Sequence, residues 1–115
     1  RGFPRAQLYF GHAHEKGLGG RAKDPQQAAH WYRRAREAGE LEASYYLGKL
    51  ERAWGNVSGA TVLFKEGSGC GEPHAMRELA TAYQNGTGDL ARDLELAAHW
   101  FQRAADFAPE AMYQA

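Results

Sequence analysis

Small and large apolar residues recur along this chain at helical spacing. In Ala28-Ala29-His30-Trp31-Tyr32-Arg33-Arg34-Ala35, the apolar positions Ala28, Trp31, Tyr32 and Ala35 lie three, four and seven apart, the signature of one helix face. A second stripe takes the form Ala6, Phe10, Gly11, then Ala43, Leu47, Gly48, then Ala75, Leu79, Ala80. Its small-large-small order predicts a helix that lets a partner approach closely. Alternation never outlasts a few residues, so no strand is predicted. Pro4, Pro25, Pro73 and Pro109 mark helix starts, because a first-turn residue needs no N–H. Asp24 and Asp93 are placed to cap second helices, with Gln27 completing a capping box, and Gly39 and Gly71 stand where helices should stop. The pattern predicts helices near 4–16, 24–38, 41–54, 57–67, 73–85 and 93–107, and a seventh beginning at 109.

The second-helix block recurs as Ala97-Ala98-His99-Trp100-Phe101-Gln102-Arg103-Ala104, an offset of 69 residues. Upstream, Gly17-Leu18-Gly19 with Asp24 recurs as Gly86-Thr87-Gly88 with Asp93. This offset is about two repeats of the 34-residue class. A degenerate copy lies between them, with Ala60, Leu63, Phe64 and Gly67 preceded by Asn56; it has lost both its tryptophan and its glycine loop. The chain therefore reads as all-α, an α/α superhelix of about three helix-turn-helix repeats (4–40, 41–72, 73–108) plus the start of a fourth at 109–115. One repeat cannot bury both stripes, so neighbours must stack. The short seventh segment carries the expectation that the chain is a fragment of a longer protein, or self-associates through an open repeat end.

The order Ala-x-x-x-Leu-Gly, Gly-x-Gly loop, Asp, Ala-x-x-Trp-Tyr-x-x-Ala and closing Gly resembles the Sel-one-like repeats (SLR), relatives of the tetratricopeptide repeats (TPR), over essentially the whole chain. The resemblance implies a solenoid that serves as a non-enzymatic adaptor for other proteins, often in bacterial envelope, secretion or signalling settings. One branch of the family carries a disulfide in each repeat; the single cysteine here, Cys70, excludes that pattern.

Charge and composition narrow the partner classes. Lys plus Arg and Asp plus Glu number 14 each, so no global field draws the protein to nucleic acid or an anionic membrane. No apolar run approaches the ~18 residues of a spanning helix. Cys70 cannot form an internal bridge and leaves the compartment undecided.

Candidate chemistry is sparse. His12, His14 and Glu15 are the densest group of metal-ligand types, yet residues two apart on a helix point about 200° apart, so the two histidines cannot chelate together. On this reading His14 faces the core and His12 the opposite side. A small-ligand or metal-dependent enzyme using the His12/Glu15 region is one competing function, and a structural spacer another. Gly67-Ser68-Gly69-Cys70-Gly71 lacks the strand and the Gly-Lys-Ser/Thr of a phosphate loop and reads as a helix end. Cys70 with His74 lacks a group to activate the thiol. No catalytic residue, metal or cofactor is expected. Trp31, Trp100, Phe64 and Phe101 are assigned to the core, and Arg33, Arg34, Arg36 and Glu37 to a solvated convex face.

The favoured function is recognition of a protein or peptide segment, acidic in character, along the concave groove lined by first helices. The positions one before and two, six and nine after each key alanine are assigned to that groove: Arg5, Leu8, His12, Glu15; Glu42, Tyr45, Lys49, Arg52; His74, Arg77, Thr81, Gln84; and Tyr113 at the open end. The residues expected to carry binding are Tyr45, Lys49, Arg52, His74 and Arg77, with Leu8, His12 and Tyr113.

Overall fold

A computed structural model describes residues 3–107; Tyr113 and the expected seventh helix lie outside these residues. Six helices follow in order: α1 (Pro4–Lys16), α2 (Pro25–Glu37), α3 (Glu42–Ala53), α4 (Val57–Gly69), α5 (Pro73–Asn85) and α6 (Leu94–Phe107), with one 3-10 turn over Leu18–Gly20. No strand occurs among the described residues.

The local signals act through specific bonds. The side chains of Asp24, Asn56 and Asp93 accept hydrogen bonds from the backbone N–H of Gln27, Gly59 and Leu96, each at 3.1 Å. The capping box at Gln27 does not close, because the Asp24 N–H already donates to the His14 carbonyl at 2.8 Å. The second glycine loop is tied in the same way, Asp93 N–H to Tyr83 carbonyl at 2.9 Å. Gly17 and Gly86 end their helices at φ 72° and 68°, a conformation that side chains disfavour, so the paired glycine loops follow from backbone geometry. A cap that sequence reasoning missed is Glu72, which is buried and accepts the Ala75 N–H at 2.8 Å.

Each first helix packs against the second helix that follows it, α1 on α2, α3 on α4 and α5 on α6, and the hairpins stack through α2 on α3 and α4 on α5. The small residues of the stripe decide the approach. A methyl group added at Gly11 would overlap the Tyr32 ring, and one at Gly48 would lie 2.6 Å from Phe64 Cε1. Tyr32, Ala35, Ala43, Leu47 and Leu63 belong to one continuous core, and Tyr45, Ala60, Phe64 and Ala75 to a second cluster; the half-buried Tyr46 packs against both.

Two expectations about burial are corrected here. Trp31 and Trp100 are half-buried, and so is Phe101; of the four aromatics assigned to the core, only Phe64 is buried. Adjacent helix positions point about 100° apart, so Trp31 and Tyr32 cannot both face the centre. Tyr32 takes it, while Trp31 rests at the edge on Phe10, with ring centroids 5.0 Å apart, beneath the Arg34 guanidinium. Phe10 itself is exposed rather than part of the stripe's buried face. The second correction concerns Arg36, which does not lie on a solvated convex surface. It grips Glu66 with two hydrogen bonds of 2.5 and 2.6 Å, joining α2 to α4, and Ser44 donates a third to the same carboxylate. That arrangement holds Glu66 below the ordinary carboxylate range.

Candidate protein-binding groove

The backbones of α3 and α5 approach each other directly, whereas α2 meets α4 through the long side chains of Arg36 and Glu66 and α4 and α6 show no such backbone approach. The surface of α1, α3 and α5 is therefore the inner side of the curve. Side chains cross it from helix to helix: Arg5 reaches Glu42 at 3.1 Å and Glu40 at 2.7 Å, His12 stacks edge-on against Tyr46 with centroids 4.4 Å apart, and Arg52 reaches Glu78 at 2.6 Å.

The described residues that the sequence expects to carry binding divide into three groups. Leu8 is 2% exposed and Tyr45 8% exposed, so neither offers open surface. The position two after the key alanine rolls toward the neighbouring helix, and Tyr45 is wedged among Tyr46, Phe64 and His74. Lys49 and Arg52 lie on α3 and His74 and Arg77 on α5, the two helices that approach each other on the inner side. Lys49 Nζ stands 5.0 Å above the Tyr45 ring and 6.0 Å from that of Tyr46. His74 Nδ1 lies 3.5 Å from Glu72.

His12 and Glu15 come together with a partner that sequence reasoning did not foresee. The Tyr32 hydroxyl, emerging from the core, donates to Glu15 Oε1 at 2.5 Å, and its oxygen lies 2.9 Å from His12 Nδ1. His12 does not point away from the core; it is half-buried between Tyr32 and Tyr46. Burial holds its imidazole below the ordinary value, with Glu15 opposing that shift, and burial together with the Glu15 hydrogen bond pushes the Tyr32 hydroxyl up. Tyr46 is raised as well, first by burial and then by nearby Glu42. Both groups that the enzyme reading would use are thus engaged in tying α1 to α2. Among the described residues no three His, Cys, Asp or Glu side chains gather as a metal site. No helix there is long and apolar enough to cross a membrane.

Glu78 is a groove residue that the sequence pattern missed. It sits three after the key Ala75, a position left out of the groove set, and meets both Arg52 and Arg77, the latter at 3.7 Å. The available signal was Tyr46, which holds the matching position three after Ala43 and also faces the groove.

The Sel1 repeat family model matches residues 4–40 and 73–106. The chain belongs to the Sel1 repeat family. The two matched segments flank the degenerate middle copy, which nonetheless folds as the same helical hairpin. A Sel1 repeat protein from Oxalobacter formigenes superposes with a TM-score of 0.88 at 26% identity, over 96% of this chain and 45% of that one. The protein c5321, a protective antigen of uropathogenic Escherichia coli strains that displays an SLR fold, gives 0.81 at 31% identity, over 90% of this chain and 22% of its own. This chain spans less than half the length of either relative. No curated protein gives a significant match. Sel1 repeats are generally protein–protein interaction scaffolds and typically non-enzymatic.

Proposed function

We propose that this Sel1 repeat chain is an adaptor that holds a protein or peptide segment along the inner surface of α1, α3 and α5. The observation that carries the reading is the half-buried ring pair His12 and Tyr46, which bridges α1 and α3 with centroids 4.4 Å apart, is backed by the buried Tyr45 and is flanked by Lys49 6.0 Å from the Tyr46 ring. Rigid rings provide contact area at low entropic cost, and the flanking charges orient what lies on them. The partner's protein nature rests on the family and on the chain's zero formal net charge, which gives no overall pull toward nucleic acid.

The test is to reverse Lys49, Arg52 and Arg77 to Glu together and to measure affinity for a partner recovered by pull-down. Arg33 and Arg34 reversed to Glu serve as the outer-face control. Arg36 is unsuitable there, because it holds Glu66 across the repeat junction. Weakened binding in the groove variant alone supports the proposal. Equal loss in both variants, or loss only in the control, means that the partner docks elsewhere.

A further inference from the structure

The charges on the inner surface are not equally committed. Its carboxylates are satisfied within the chain: Glu42 by Arg5, Glu15 by the Tyr32 hydroxyl, and Glu72 by the Ala75 N–H and by His74. Its cations are less so. Lys49 makes no ion pair among the described residues and rests only on the Tyr45 and Tyr46 rings. Arg77 meets its carboxylate at 3.7 Å, too long for a hydrogen bond, and its Nε is buried without a partner. Arg52 and Arg77 thus share the single carboxylate of Glu78, whose side chain is 12% exposed and bonds Arg52 at 2.6 Å, while Lys49 pairs with no carboxylate among the described residues. With two guanidiniums on one carboxylate and Lys49 resting on rings alone, this corner carries an excess of positive charge that a second carboxylate offsets.

We infer that the α3–α5 half of the groove binds an acidic segment, with Lys49 as the anchoring cation and Glu78 as an internal carboxylate that competes with the partner for Arg52 and Arg77. The inference rests on the groove reading above and names the partner's chemistry. A partner carboxylate docks beside the Tyr45/Tyr46 pair, where Lys49 exchanges ring contact for an ion pair and the Arg77 fork is free to donate. Glu78 keeps the two guanidiniums positioned in the unbound protein and lowers affinity by occupying them. Removing the Glu78 charge therefore strengthens binding, whereas a purely structural ion pair would leave affinity unchanged or weaken it.

The probes are a fluorescein-labelled decapeptide alternating Glu with Leu, and its counterpart with Lys in place of Glu, followed by fluorescence anisotropy at low and high salt. The Glu peptide is expected to bind more tightly than the Lys peptide and to weaken as salt rises. Lys49→Gln should weaken it roughly three- to tenfold, and Glu78→Gln should tighten it by a similar factor. Preference for the Lys peptide, binding of neither, or a folded Glu78→Gln protein with unchanged or weaker affinity overturns the inference. Should Glu78→Gln fail to fold, Lys49→Gln decides alone, since that side chain holds no ion pair on which the fold depends. If peptide binding responds to Arg33 and Arg34 reversal and not to Lys49→Gln, the groove reading itself fails. If the groove reversals release the pulled-down partner while neither peptide binds, the groove stands and only the acidic assignment falls.

Discussion

Substituting Gly48 by alanine sets two effects of known sign against each other. In the middle of α3, alanine is favoured over glycine by about 1 kcal/mol of backbone entropy. If Gly48 were there by chance, Gly48→Ala would stabilise the protein by that amount. The structure places the new Cβ 2.6 Å from Phe64 Cε1, 3.0 Å from Cζ and 3.1 Å from Cδ1. Phe64 is 3% exposed, lies against Tyr45 and carries the Arg52 guanidinium 5.5 Å from its ring centre, so it has no vacant direction of retreat. Overpacking of this kind costs roughly 2–3 kcal/mol, which outweighs propensity and leaves a net loss of about 1–2 kcal/mol. At roughly 4 °C per kcal/mol for a domain of this size, thermal unfolding followed by circular dichroism should show a drop of about 4–8 °C. Phe64→Leu shortens the opposing side chain, and in that background Gly48→Ala should become neutral or stabilising, a coupling of at least ~1 kcal/mol in a double-mutant cycle. A higher melting temperature for Gly48→Ala in the unaltered background, or additive effects in the cycle, would refute the close-approach argument.

Three further outcomes follow from the same geometry. Trp31→Ala and Trp100→Ala, for which full burial implied roughly 3–5 kcal/mol, should each cost about 1.5–3 kcal/mol because both indoles are half-buried, and less than Tyr32→Ala; urea unfolding checks the order, and losses equal to that of Tyr32→Ala would contradict it. Arg36→Met breaks the α2–α4 clasp, and with side chains 35% and 37% exposed the loss at neutral pH should be about 1 kcal/mol. Because Glu66 is held below its ordinary 4.5, that contribution is present above pH 4.5 and fades as pH falls through the folded value, so the two proteins should converge in stability toward pH 3. His12, held below its ordinary 6.5, favours the fold when neutral; stability should fall as pH drops from 7 to 5, and His12→Gln should flatten that slope. A slope unchanged in His12→Gln would place its origin at another group.

Positions that act through local chemistry were readable directly. Prolines at helix starts, Asp24, Asn56 and Asp93 as caps, and glycines at positive φ each work within a few residues of chain, and the predicted helices at 4–16, 24–38, 41–54, 57–67, 73–85 and 93–107 match the observed ones to within two residues at either end. The groove was harder to read because it depends on how one hairpin rolls on the next. Periodicity alone puts Leu8 and Tyr45 on an open face, but the neighbouring helix covers that edge, and Tyr46 and Glu78, one residue on from Tyr45 and Arg77, take the contacts that cross from helix to helix.

The amino-acid order by itself determined the repeat. An eight-residue block recurring at 69 residues, small residues facing large ones, and caps at matching places leave stacked helical hairpins as the arrangement that buries both stripes. Which ring goes to the centre, which arginine leaves the surface and which carboxylate meets two arginines were decided only in three dimensions. Trp31 and Tyr32, or Tyr45 and Tyr46, are adjacent in sequence and equally apolar, and a rotation of about 100° between neighbours means that the packed helix, not composition, chooses between them. Arg36 and Glu66 are 30 residues apart, and Arg52 and Glu78 are 26 apart. No local rule links such pairs, since their attraction is realised only once the repeats have stacked and brought the charges within bonding distance.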